Sequence, residues 1–147
     1  MTREILFRGY YPGEHKWVYG SYIQCGEAIE LLEKNPAFII KQKDGRRFEY
    51  WMVDKFTVGQ YSGFDDHDGN KLFNGDVCYV YGHEEIRGTV KYSSLFGKWL
   101  FKFEDKKFKN QTVLEGTKIE LYNSHLCLVK VETIHDEQIK EKWGGKE

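Results

Sequence analysis

Short runs of aromatic and β-branched residues, separated by glycines, limit what this chain can fold into. Aromatic residues make up 16% of the 147 residues, and 15 glycines recur at short intervals. Aromatic and β-branched residues favour β-strands, and glycine permits the tight turns that join them. The sequence therefore predicts a mainly β protein.

The predicted strands fall into two groups. In the first group, a strand over Glu4–Tyr11 is followed by two runs, Phe38–Lys43 and Arg46–Val53, that flank Asp44-Gly45. This dipeptide is typical of a two-residue hairpin turn, because glycine accepts the positive φ that the turn requires. The second group has the short, regular spacing of a small barrel or sandwich. Its strands are predicted over Asp76–Tyr81, Ile86–Tyr92, Trp99–Phe103, a run near Thr112 and Ile119–Val131.

Helices are predicted at only two places. Gly26–Lys34 has apolar residues three and four apart. The tail from about Thr133 to Trp143 is expected to form a short amphipathic helix that uses Ile134, Ile139 and Trp143. We expect an N-terminal β-rich lobe over residues 1–55, a barrel lobe over 56–132 and a tail over 133–147. The expected seam lies near Val53 to Phe56.

The charge and the cysteine content limit the expected partners and the expected cellular compartment. The net charge is -1, from 22 basic and 23 acidic side chains, which removes the broad basic field of many nucleic-acid binders. Three widely spaced cysteines without a CxxC motif favour reduced thiols in a cytoplasm. No apolar run approaches the roughly 20 residues of a membrane span. We expect a cytoplasmic protein with no membrane partner.

Several segments together resemble one known family. The segment Thr57–Asp66, continued by Asn74–Val77, is similar to the signature of the YopX-like family of prophage and phage proteins. Arg3–Arg8 and Gly88–Tyr92 resemble other parts of that family, as do Lys16–Gly20 and Tyr122–Ser124. The resemblance implies an α+β protein whose second half is an SH3-like small barrel, and we expect the mainly β N-terminal lobe with its short helix to pack on that barrel. It also implies a mobile-element protein that acts in a bacterial host, and it supplies no catalytic positions.

The signature segment also has a physical interpretation. Its glycines stand where a chain turns sharply or where backbones pack closely, and its last acid can accept backbone N–H groups in a turn. We interpret these residues as scaffold: Gly59, Gly63, Gly69, Gly75 and Asp76.

The sequence contains no recognisable catalytic pattern. Asp65, Asp66, Asp68 and Asp76 are acidic neighbours, but their spacing does not fit a calcium loop. His125 and Cys127 would share one face of a strand, where core packing and a zinc site remain alternatives. The chain has no nucleophile elbow and no phosphate-binding glycine loop. We therefore expect neither a cofactor nor an enzyme.

Two basic hairpins are candidates for nucleic-acid contact. One carries lysines interleaved with Trp99, Phe101 and Phe103, and the other carries Arg46 and Arg47. Such surfaces can follow a phosphate backbone while aromatic rings stack on bases. Alternatively, strand alternation places those three rings in a core and the lysines protect exposed strands from edge pairing. The candidate lysines are Lys98, Lys102, Lys106, Lys107 and Lys109.

Three functional hypotheses follow. The leading one is a non-catalytic binding or assembly module that self-associates as a homo-oligomer or binds a protein partner. The alternative is a nucleic-acid-binding accessory protein that uses the basic hairpins. A second alternative is an unrecognised hydrolase or metal enzyme, although no small-molecule substrate is indicated.

Overall fold

The computed structural model describes residues 4–24, 36–108, 111–115, 118–121 and 124–144. Within these ranges the chain forms eleven strands and one helix. The predicted fold class is confirmed, since the protein is mainly β and contains a small closed barrel. The elements are β1 (Phe7–Tyr11), β2 (Lys16–Gln24), β3 (Ala37–Asp44), β4 (Arg47–Asp65), β5 (Lys71–Phe73), β6 (Asp76–Val80), β7 (His83–Ser93), β8 (Lys98–Phe103), β9 (Gln111–Glu115), β10 (Lys118–Leu121), β11 (Ser124–Thr133) and α1 (Asp136–Trp143).

The chain divides into two compact units. The first contains residues 1–60 and 138–147, and the second contains residues 61–137. Strand β4 runs without interruption through the seam expected near Val53 to Phe56.

In the first unit, strands β1 to β4 pair in sequence order, and β1 also pairs with β4. Strand β4 pairs with both β3 and β1 along different parts of its length. Arg47–Val53 pairs with β3, whereas Asp54, Gly59 and Gln60 pair with β1. The side chains between these strands form a small apolar core. Its buried members are Val18, Ala37, Ile39 and Val53.

The predicted hairpin between β3 and β4 is present, but its turn lies one residue further along. Asp44 pairs with Arg47, so the two turn residues are Gly45 and Arg46, and Gly45 has a φ of 32°. The register shifts between Gln42 and Asp44, and Gln42 Nε2 donates a hydrogen bond of 2.7 Å to the Gly45 carbonyl. This bulge moves the turn away from Asp44-Gly45.

The second unit contains a closed barrel with the strand order β10-β11-β6-β7-β8-β9. The alternation predicted for β8 holds, since Trp99, Phe101 and Phe103 are buried in its core and Lys98 and Lys102 are exposed. The single strand predicted over Ile119–Val131 is wrong. The chain instead folds back on itself as β10 and β11, with Ile119 opposite Leu126.

The two predicted helices have different outcomes. Gly26–Lys34 lies outside the described residues. The tail does form helix α1, which buries Ile139 and has acidic residues in its first turn and basic residues in its last, as the helix dipole favours. Near its end, the Trp143 indole N–H donates to Asp54 Oδ2 at 3.1 Å. Among the described residues, no helix has the length and apolar character needed to cross a membrane.

Candidate interaction surfaces

The acids of the signature segment organise a turn. Asp66 is buried, and its carboxylate accepts hydrogen bonds from the backbone N–H groups of Asp68 at 2.9 Å, Asn70 at 2.8 Å and Lys130 at 3.0 Å. The Asn70 side-chain amide adds a fourth bond at 3.2 Å. Burial by itself raises the pKa of Asp66, but these donors outweigh burial and the pKa lies below its ordinary value. Asp66 thus joins its own turn to strand β11.

Asp76 and the glycine before it belong to a second tight turn. The Asp76 carboxylate is fully buried, accepts the Phe73 backbone N–H at 2.7 Å and lies 3.5 Å from Lys130 Nζ. Gly75 has a φ of 96°, a conformation that glycine adopts without steric cost. Gly63 and Gly69 also have positive φ, and Gly59 lies within β4 opposite Arg8.

Potential metal ligands are not gathered in the parts of the chain that the structure describes. Those parts contain no group of three or more His, Cys, Asp or Glu side chains placed to hold an ion. His125 Nε2 lies 3.9 Å from Glu115 Oε2, and Cys127 is partly buried on the same strand. The zinc alternative for His125 and Cys127 therefore has no further ligand among the described residues.

In the basic hairpin that contains β8, the lysines and the aromatic rings lie in different environments. Lys98, Lys102, Lys106 and Lys107 are exposed, whereas Lys109 lies outside the described residues. The three aromatic rings of β8 are buried in the barrel, so they cannot stack on a nucleobase.

The other basic hairpin carries exposed rings that the sequence pattern did not indicate. Arg46 and Arg47 are exposed at its tip. On β4, directly after them, Phe48 is 61% exposed and Tyr50 is 70% exposed. Both rings lie on the outer side of the first unit's sheet.

These rings belong to a larger surface, which we call the apolar sheet face. Its cross-strand rows are Ser21–Ile40–Tyr50 and Ile23–Phe38–Met52, with Gln42 opposite Phe48. The Phe38 and Tyr50 rings meet edge to face with centroids 6.4 Å apart. The face contains no charged residue. Its members are Tyr19, Ser21, Ile23, Phe38, Ile40, Gln42, Phe48, Tyr50 and Met52.

A second surface lies on the outside of the barrel around Leu100. This residue points away from the core rings of β8, yet it is only 6% exposed. It lies between Lys98 and Lys102 on its own strand, opposite Lys91 on β7 and Val113 on β9. A cavity of about 300 Å³ opens here, and its lining residues are Phe96, Lys98, Leu100, Gln111, Thr112 and Val113.

A smaller cavity of about 240 Å³ reaches the barrel core elsewhere. Ile86, Leu121 and Leu126 line its apolar part, and His83, Glu85 and Lys107 are among its polar residues. His83 Nδ1 is 3.7 Å from Glu85 Oε1. This pair is exposed, so the cavity offers a mixed polar and apolar recess rather than a buried charged centre.

Comparison with known proteins gives one result. Neither the curated proteins nor the solved structures that were searched gave a significant match. A family model described as YopX protein matches residues 6–134, a range that contains all eleven strands. The chain therefore belongs to the YopX family, as the resemblance of its signature segment predicted.

Proposed function

We propose that this YopX-family chain is a non-catalytic assembly module that self-associates through the apolar sheet face. The observation that carries the proposal is an uncharged surface on three adjacent strands, with Phe48 and Tyr50 exposed on β4. Charged residues are depleted and aromatic residues enriched at the cores of protein interfaces.

The size of the face supports this proposal. Five of its side chains expose 38% to 70% of their surface. If each is taken to have about 200 Å², they present roughly 500 Å² of mostly apolar area. The largest apolar patch on a typical monomer is about 300–600 Å², and such patches are often functional. A standard interface buries about 800 Å² on each partner, so this face has the size of an interface core without its rim.

The distribution of charge favours a second copy as the occupant. The tip of the β3–β4 hairpin is basic, with Lys41, Lys43, Arg46 and Arg47 against Asp44. In a two-fold arrangement with the strands of the two copies antiparallel, these basic tips lie at opposite ends of the interface and do not repel each other. The uncharged faces then pack directly, as the inner faces of two stacked sheets do.

We propose a non-catalytic role because the buried acids have structural roles. Asp66 accepts four hydrogen bonds from its own turn and from β11. Asp76 is held by the Phe73 backbone and by Lys130. Acids used in this way are not available for proton transfer to a substrate. Membership of the YopX family supports a phage or prophage setting, and we place the assembly in the cytoplasm of a bacterial host.

Sedimentation velocity over a wide concentration range tests the proposal. We expect the natural chain to form a dimer and Tyr50→Asp to weaken the dimer by about tenfold or more, because it places a charge in the apolar contact. Ile5→Asp is the matched control, since Ile5 is 71% exposed and lies outside the three strands of the face. Circular dichroism confirms that each variant is folded.

Two outcomes would contradict the proposal. One is a natural chain that remains monomeric at the highest concentration. The other is a Tyr50→Asp variant that associates as tightly as the natural chain and the Ile5→Asp control. Binding of a different protein in place of a second copy would also contradict it.

A further inference from the structure

The part of the β7–β8 hairpin that follows Glu84 and Glu85 is basic. From Ile86 to Phe103 the chain contains Arg87, Lys91, Lys98 and Lys102 but no Asp or Glu. Arg87 Nη2 lies 3.4 Å from Glu132, whereas the three lysines are exposed. The hairpin therefore presents local positive charge on a chain whose net charge is only -1.

The three lysines surround one point on the barrel. Lys98 and Lys102 lie two residues before and after Leu100, and Lys91 lies directly opposite it on β7. Side chains two apart on a strand share a face, and directly opposite residues have Cβ atoms about 5 Å apart. The three lysines therefore lie on the same face of the barrel as Leu100, and Lys98 lines the cavity beside it.

The cavity beside Leu100 can take a small planar group. Its volume of about 300 Å³ is at the lower end of the range for ligand sites. Phe96, Leu100 and Val113 supply apolar walls, while Gln111 supplies an amide with both donors and an acceptor. Lys98 is the one charged residue in the lining, and it is a cation.

One exposed ring lines the cavity. Phe96 is 57% exposed, so its ring is open to solvent. An exposed aromatic ring next to lysines is the arrangement on which unpaired bases stack while cations contact phosphates. An acidic peptide would use the lysines, but it would have no particular need for the open Phe96 ring and the Gln111 amide.

We propose that this cavity binds a base of single-stranded nucleic acid, stacked against Phe96, with Lys91, Lys98 and Lys102 contacting the adjacent phosphates. We propose a single strand as the ligand because a base must leave its stack to enter a cavity on the outside of the barrel. The site lies wholly within the second unit, so it is independent of the assembly proposed through the first.

Fluorescence anisotropy with a dye-labelled oligothymidylate of about a dozen nucleotides tests the proposal across a range of salt concentrations, since single-strand sites span about 4–16 nucleotides. Three phosphate contacts predict a slope of log affinity against log salt of about -2. The paired substitution Lys91→Glu with Lys98→Glu should reduce that slope by about 1.4 or abolish binding. Phe96→Ser should weaken binding by about tenfold while leaving the slope unchanged.

The matched control is Lys118→Glu with Lys140→Glu, which makes the same charge change at two exposed lysines that do not line the cavity. This control should bind nearly as the natural chain does. The proposal is overturned if no binding occurs at low salt, or if the control loses as much affinity as the cavity variant. It is also overturned if duplex DNA or free thymidine monophosphate binds as tightly as the oligonucleotide. Loss of binding only in Arg46→Glu with Arg47→Glu would place the contact in the first unit and overturn it as well.

Discussion

Replacing Asp66 with asparagine removes a charge that the structure uses at four points. The carboxylate accepts three backbone N–H groups and one side-chain amide, and the residue is only 2% exposed. Asparagine keeps one acceptor oxygen and substitutes an NH₂ group for the other. That NH₂ group would face N–H donors, so at least two hydrogen bonds are lost.

The cost can be estimated from those bonds. A hydrogen bond to a charged group contributes about 1.5–3 kcal/mol when the site is buried. Loss of two such bonds, with partial recovery as the turn relaxes, predicts a decrease of about 2–4 kcal/mol in the free energy of unfolding. Such a decrease is a large part of the stability of an ordinary domain.

The same contacts predict an acid dependence. Because the pKa of Asp66 in the folded chain lies below its ordinary value, the unfolded chain binds this proton more readily. Stability from the carboxylate is fully present above about pH 4 and is lost as pH falls through the folded pKa. Asp66→Asn should therefore show a shallower loss of stability on acidification than the natural chain.

Urea unfolding followed by tryptophan fluorescence, repeated at several pH values, measures both effects. Asp68→Asn is the control, because the Asp68 side chain is 59% exposed and should cost little. Equal stability of Asp66→Asn and Asp68→Asn at neutral pH, or coincident acid slopes, would contradict the role given to the Asp66 carboxylate.

Two further substitutions test other contacts. Gly75→Ala should cost more than Gly69→Ala in urea unfolding. Both have positive φ, which costs about 1–2 kcal/mol for alanine, but only at Gly75 would the new Cβ lie 3.2 Å from His135 Nε2. Equal losses would show that the His135 contact adds nothing. Trp143→Phe removes the indole N–H bond to Asp54 and should destabilise the end of α1 by about 1–2 kcal/mol, seen as faster amide exchange over residues 138–143. Unchanged exchange would contradict the role given to that bond.

The parts of the fold that follow from local patterns could be predicted from the sequence. The alternation of β8 places Trp99, Phe101 and Phe103 in the core because a strand has a strict period of two. The family could also be predicted from the sequence, because the signature segment is a run of consecutive residues.

Features that depend on pairing between distant segments could not be predicted. The bulge at Gln42 moves a turn by one residue, and β4 continues past Val53 because β1 replaces β3 as its neighbour. The pairing of Ile119 with Leu126 divides what looked like one strand into two.

The candidate surfaces could not be predicted from the sequence for related reasons. Both faces of β4 are partly apolar near Tyr50, so alternation does not reveal which face is exposed. The lysines around Leu100 come together only through the register of β7 with β8. The sequence indicated Lys98 and Lys102, but it did not indicate Lys91 or the cavity.

In the proposed dimer, two copies meet through the apolar sheet face. An isotope-filtered nuclear Overhauser experiment on an equal mixture of labelled and unlabelled chains tests it most directly, because it detects only contacts between copies. We predict signals that join the methyl groups of Ile23, Ile40 and Met52 in one copy to the rings of Phe48 and Tyr50 in the other. Signals between copies that involve only residues outside this face, in a sample shown to be dimeric, would contradict the account.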